Sequence, residues 1–221
     1  MPQYPMSQSA PVQVRYFFDP LCGWCYGAVP ALKVLQGQPD IGLSLAPVGL
    51  FADEAARPMD SGMAAYAWAN DQRIQALTGQ VFSPAYREQV LGDPTRNFDS
   101  GPATRALSAV QITAPGRELE ALHALQHARY VEGLATSDAA VVVALLNRLG
   151  LQAAAQALQA GDAGLLAHAR ERMQKARSAW QQLGLQGVPA LQVQAAGGSR
   201  VVTGQVLYGA PEALLSLVRG H

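Results

Sequence analysis

The sequence predicts an α/β chain whose strands fall in two groups on either side of a long helical block. Three observations carry that reading. Apolar runs of period two at 12–18 and 41–50 flank a helical stretch, which makes a β-α-β opening. From 54 to 184 the apolar residues recur at helical spacing instead. Beyond 185 two short β-like segments and a last helix close the chain, so the order is β-α-β, a helical block, then β-β-α.

Residues 1–11, rich in Pro, Ser and Gln, read as a flexible tail. In the first strand Val12, Val14, Tyr16 and Phe18 alternate with Gln13, Arg15 and Phe17, and Asp19-Pro20 ends the run. A helix over 23–36 carries Trp24, Val29, Leu32 and Leu35, with Pro30 expected to kink it. Ile41, Leu43, Leu45 and Pro47 give the second strand one apolar face. Met63, Tyr66, Ala67, Asn70, Ile74 and Leu77 then follow helical spacing behind a Ser61 cap. Ala103, Ala106, Leu107 and Val110 repeat the pattern, as do Leu119, Leu122 and Leu125. Ser137 and Asp138 offer a cap for a helix burying Val142, Leu145, Leu146 and Leu149, closed by Gly150. Leu166, Ala169, Met173, Ala176, Trp180 and Leu183 mark a long helix ending at Gly184. Leu191 and Val193 mark a strand, Gly197-Gly198 a hairpin turn and 201–205 its partner. Pro211 opens the last helix at its first position, with Leu214, Leu215 and Val218 inward.

The chain's 221 residues are enough to bury a core without disulfide staples. Its 16 basic and 16 acidic residues cancel without a basic block, which argues against nucleic acid as a partner. Mean hydropathy is +0.05, yet no apolar run approaches the roughly 18 residues of a membrane span. The first residues have neither a basic nor an apolar secretory region, so the cytoplasm is the expected compartment and a membrane is not an expected partner.

The two cysteines of the chain stand together, as Cys22-Gly23-Trp24-Cys25, just beyond the first strand. A C-x-x-C pair beside a β-α-β pattern reads as a redox dithiol. At a helix start, unpaired N–H groups favour a thiolate at Cys22. Cys25, one turn on, lies where it can attack a mixed disulfide formed at Cys22. Half a zinc site uses the same spacing but needs two more ligands. His123 and His127, at i and i+4, are the candidates, and they read more simply as polar residues beside an apolar stripe. The expectation is therefore no metal and no cofactor beyond the dithiol.

With FDPLCGWCYG near its start and LGLQGVPAL near its end, the chain resembles the DsbA family of thiol–disulfide oxidoreductases, in its FrnE-like branch. GPATRAL and ARYVEGLATSD look familiar from the same branch. The resemblance spans about 12–218 and implies a thioredoxin-like fold with a large all-helical insertion. Residues 12–53 and 185–221 would form the thioredoxin-like domain, and 54–184 the insertion.

The resemblance also implies a site. Val188-Pro189 matches the family's cis-proline position, packed against the cysteines, where the Val188 backbone can pair with an extended substrate by strand addition. Gly23 and Trp24 carry no charge where other members place a histidine, and an indole beside a reactive sulfur is expected to touch substrate. Many thioredoxin-fold proteins hold a buried acid six residues before the first cysteine. That position here is Tyr16, while Asp19 reads as a turn residue, so the acceptor for the Cys25 proton stays open between Asp19 and a water. The implied partners are thiol- or disulfide-containing proteins and peptides, with glutathione as a reductant, for a monomer or homodimer acting as oxidoreductase or isomerase. A glutathione-dependent isomerase or kappa-class glutathione transferase resembles the same fold. Those enzymes keep a serine at the Cys22 position, and Cys25 argues against them.

Overall fold

A computed structural model describes residues 12–220. The tail expected at 1–11 lies outside these residues. Strand β1 (Val12–Phe18) leads through helices α1 (Gly23–Gly27) and α2 (Val29–Gln36) into β2 (Ile41–Pro47). After the helical block, β5 (Ala190–Ala195) and β6 (Gly198–Thr203) complete the sheet and α9 (Pro211–Arg219) closes the chain. The sheet order is β2-β1-β5-β6; β1 pairs parallel with β2, and the other two pairs are antiparallel. The two ends of the sequence thus meet in one sheet, with β1 at its centre.

Period-two alternation in β1 explains its two cores. Val14, Tyr16 and Phe18 face the larger core, sharing it with Leu191 and Val193 opposite. Phe17 faces the other side, where Ala46, Val48, Ala176, Leu185 and Ala190 pack. A strand buried on both faces suits the central position. The hairpin between β5 and β6 turns on Ala196-Gly197, one residue earlier than expected, because Gly198 already pairs with Ala195.

The intervening block holds α3 (Ser61–Thr78), α4 (Gly101–Thr113), α5 (Glu118–Tyr130), α6 (Ala139–Arg148), α7 (Gln152–Ala160) and α8 (Ala163–Gln182), with a single π turn at Tyr86–Leu91. It is not wholly helical. β3 (Arg57–Pro58) and β4 (Asn97–Phe98) form a two-residue antiparallel ladder, too short to leave an alternating pattern in the sequence. Asp60, rather than Ser61, caps α3 by accepting from the Met63 N–H at 2.7 Å. Its inward face differs in part from the expected one: Ile74 is buried as expected, but Tyr66 is 69% exposed and Leu77 47% exposed, and Asp71 is buried. An apolar-only reading of the helix passes over Asp71. α8 lies along the second face of the sheet and is fastened by side chains. Arg172 pairs with Glu118 and donates to the Leu45 carbonyl, and Arg177 donates to the Val48 and Gly49 carbonyls.

Candidate active site

Strand β1 delivers the cysteines to the edge of the larger core. Its last residues run into a tight turn in which the Leu21 N–H donates to Asp19 Oδ1 at 2.9 Å and the Cys22 N–H donates to the Asp19 carbonyl at 3.1 Å. Cys22 caps α1 with extended backbone, and Cys25 lies inside that helix. The expected helix over 23–36 is in fact two. Pro30 has no N–H for the Tyr26 carbonyl, which accepts from a cap N–H of α1 and from Gln80 Nε2 at 3.2 Å. α1 is therefore a five-residue turn, and less helix dipole bears on Cys22 than a continuous helix would supply.

Both cysteines are free thiols; Cys22 is half-buried and Cys25 is fully buried. The Cys22 thiol donates to the Val188 carbonyl at 3.8 Å, across a sequence gap no local signal spans. The Val188-Pro189 peptide is cis, with Pro189 buried and Val188 half-buried. Burial pushes the Cys25 thiol well above its ordinary value, and the adjoining Cys22 sulfur pushes it the same way. One sulfur meets the surface and the other waits behind it.

Tyr16, at the position where related folds hold an acid, is fully buried, and its hydroxyl donates to the Cys25 carbonyl at 3.2 Å. Burial and then the two cysteines push its phenol well up, so Tyr16 stays a neutral donor. Asp19 is more than a turn residue. It is fully buried, and beyond Leu21 it accepts from the Phe51 N–H at 3.2 Å and the Ser100 hydroxyl at 2.8 Å. Burial raises its carboxyl despite these bonds. The carboxylate ties the cysteine turn to the loop after β2 and to the start of α4.

A groove of about 640 Å³ opens beside Trp24, bounded by Leu77, Val188, Pro189, Gln205 and Tyr208, with no charged side chain in its wall. The Trp24 and Tyr208 rings lie 5.5 Å apart, and the Tyr208 hydroxyl donates to the Trp24 carbonyl at 3.4 Å. Gly23, Trp24, Val188 and Pro189 are thus brought to one place with Cys22.

The opposite wall was missed by sequence reasoning. Asp71 of α3 accepts from the Tyr86 hydroxyl at 3.0 Å, and a Cβ on Gly23 would lie 2.4 Å from Asp71 Oδ1. Arg129, buried, stacks over Phe98, Tyr86 and Tyr130 at 5.0, 5.5 and 5.8 Å. The Tyr130 hydroxyl donates to the Leu21 carbonyl at 2.7 Å, next to Cys22. Only the charge of Asp71 on an otherwise inward face signals this wall in the sequence.

The two histidines lie elsewhere in their interactions. His127 Nδ1 is 3.1 Å from Glu132 Oε1, and burial followed by the Lys33 charge pushes His123 down to about 4. Among the described residues no three His, Cys, Asp or Glu side chains cluster to hold a metal. Nor is any helix among them long and apolar enough to cross a membrane.

The model of one family, described as a DSBA-like thioredoxin domain, matches residues 13–211. Among solved structures, the cytosolic disulfide reductase DsbM from Pseudomonas aeruginosa is 30% identical, with a TM-score of 0.82 over 93% of this chain and 96% of that one. The same protein with GSH matches at a TM-score of 0.79, 30% identity and the same coverage. A provisionally assigned protein disulfide isomerase from Nitrosomonas europaea shares the fold at 22% identity and a TM-score of 0.75, over 94% and 96% of the two chains. Among curated proteins none matches in sequence.

Proposed function

This chain belongs to the DsbA-like thioredoxin-domain family and is a thiol–disulfide oxidoreductase; from that premise we propose that it reduces disulfides, with Cys22 attacking and Cys25 resolving. The observation that carries the roles is the unequal placement of the sulfurs. Cys22 meets the surface against the Val188 carbonyl, and Cys25 is fully buried behind it. The Cys22 thiolate attacks one sulfur of a substrate disulfide, forming a Cys22–substrate bond and releasing the other sulfur as a thiolate. Cys25, once deprotonated, attacks Cys22 Sγ and releases the second substrate sulfur. Two electrons pass to substrate, and the Cys22–Cys25 disulfide remains. Two thiols of a small reductant such as glutathione return it to the dithiol, becoming a disulfide themselves, so no bound cofactor or metal is needed.

The Val188 backbone and the uncharged groove beside Trp24 suit an extended peptide flanking the target cysteine. Gly23, Trp24, Val188 and Pro189 are the residues proposed to touch it. The reductive direction and a cytoplasmic setting are supported by the name of the 30%-identical relative, a cytosolic disulfide reductase, and by the absence of a charged group between the cysteines. Placement in the FrnE-like branch and isomerase activity on non-native disulfides belong to the same proposal.

The test is the redox equilibrium of the cysteine pair in glutathione buffers, together with turnover of an insulin disulfide. A pair that is largely dithiol in a few millimolar reduced glutathione, and that reduces insulin, bears the reading out. A pair reduced even by traces of reduced glutathione, and inert toward insulin, makes the protein an oxidant, and one that stays oxidised in millimolar glutathione takes its electrons from a stronger reductant. The relative's structure with GSH also favours a second reading, a glutathione-dependent isomerase. That reading requires turnover of a non-disulfide substrate that survives Cys25→Ala.

A further inference from the structure

We propose that Asp71 is a charge-setting and positioning residue of the cysteine turn: its carboxylate restricts position 23 to glycine and, when ionised, opposes the Cys22 thiolate. The proposal rests on the reading of Cys22 as the attacking sulfur. Its first ground is contact. Oδ1 of Asp71 occupies the space where a side chain on Gly23 would begin, 2.4 Å from the ideal Cβ, with Ile74 Cδ1 at 3.1 Å beside it. Asp71 cannot easily yield that space, since it is only 4% exposed and its Oδ2 accepts from the buried Tyr86 hydroxyl at 3.0 Å.

The second ground is electrostatic. The groups facing Asp71 come from three elements: Tyr86 from the π turn, Arg129 and Tyr130 from α5, and Gly23 beside Cys22 from the start of α1. Arg129 is 1% exposed, and its Nε and Nη2 have no hydrogen-bond partner. It gives Asp71 a counter-charge at a distance rather than an ion pair. Burial outweighs the Tyr86 bond and the Arg129 charge, and pushes the Asp71 carboxyl up to about 7. The charge on the wall of the cysteine turn therefore changes within the pH range in which thiol exchange is run. A carboxylate appearing there raises the energy of a second negative charge at Cys22.

The same wall reaches the nucleophile from the other side. Tyr130 packs edge-on to Tyr86 at 5.0 Å and donates to the Leu21 carbonyl at 2.7 Å. Leu21 and Gly23, the two neighbours of Cys22, are thus each held by a member of the Asp71 group.

The test is the rate of Cys22 alkylation by iodoacetamide from pH 5 to 9 in the Cys25→Ala chain, with and without Asp71→Asn. With Asp71 present, the profile should need two ionisations. Asp71→Asn should leave one, and should speed alkylation at pH 8 about threefold or more. Superimposable profiles overturn the proposal. If Asp71→Asn does not fold, Tyr86→Phe serves: removing the hydroxyl that stabilises the carboxylate should move the lower inflection to higher pH, and an unmoved inflection overturns the proposal. Position 23 gives an independent readout. Gly23→Ala should slow insulin reduction at least tenfold in the Asp71 chain and much less in the Asp71→Ala chain; equal losses in both overturn the steric part. A Cys22 that alkylates no faster than Cys25 would instead defeat the assignment of roles on which this rests.

Discussion

Cys22 is half-buried and Cys25 fully buried, and their chemistry should differ accordingly. Iodoacetamide should label Cys22 at least tenfold faster than Cys25 at pH 7.5 when each is measured in the other's alanine variant. Comparable rates would contradict the assigned roles. Cys25→Ala should also accumulate a mixed disulfide with substrate, visible as an added mass, because nothing remains to resolve it. Asp19 is the structural counterpart of this pair. Asp19→Ala strands the Leu21 N–H, the Phe51 N–H and the Ser100 hydroxyl, and unmet donors cost about 1–3 kcal/mol each, so urea unfolding should show a loss of roughly 3 kcal/mol. Asp71 carries a pH dependence with a definite sign. Its carboxyl titrates at about 7 in the folded chain against an ordinary value of 3.8, so the native state holds the proton more tightly. Its contribution to stability is therefore full below pH 4 and declines as pH rises toward 7. Asp71→Asn should become progressively more stable relative to the parent between pH 4.5 and 8, by up to about 4 kcal/mol. A constant difference across that range would contradict the burial argument.

Among the elements, the break between α1 and α2 shows how a backbone defect is repaired from a distance. Proline at 30 withholds the regular helical donor from the Tyr26 carbonyl, which accepts from a cap N–H at the end of α1 and from Gln80, beyond the end of α3. Gln80→Leu keeps the volume and removes that donor. It should lower stability by about 1 kcal/mol, and should leave Cys22 alkylation unchanged if the cysteine turn is held by Asp19 and Tyr130 as described. α3 itself is legible as a helix but not as a surface. Its apolar spacing selects Ile74, which is buried against α1, but also Tyr66 and Leu77, which are exposed, and it passes over Asp71, which shares the contact with α1. A buried charge looks like a surface residue until its partners are known.

For the whole molecule, the seam between the sheet and the helical block is fastened by charges as well as by apolar packing. Arg172 pairs with Glu118 while donating to the β2 backbone, and both side chains are largely buried. Burial pushes the Glu118 carboxyl up even with Arg172 beside it, which marks the desolvation this pair must offset. Arg172→Met alone should cost about 3–5 kcal/mol, because it leaves a buried carboxylate without its partner. The double variant with Glu118→Leu should recover most of that loss in urea unfolding. If it does not, the backbone bond to Leu45 is the stronger part of the seam.

Local pattern alone determined the order of the main elements, the alternation along β1, part of the helix faces, and the pairing of two thiols at the end of a strand. Those features depend on residues close in sequence, through the periods of two and 3.6 and the chemistry of C-x-x-C. The match of the GVPAL segment to a known family pointed to Val188-Pro189, though not to the 3.8 Å contact with Cys22 Sγ. Tertiary structure decided the rest. It buried Asp19 and set its distant partners Phe51 and Ser100, placed Asp71 against Gly23, and boxed Arg129 against Phe98 and Tyr86. It also added the two-residue ladder within the helical block. Each of these is a contact between residues far apart in the chain, whose side chains taken singly suggest a surface or a turn. Their cost of burial is met by partners that only folding brings within reach.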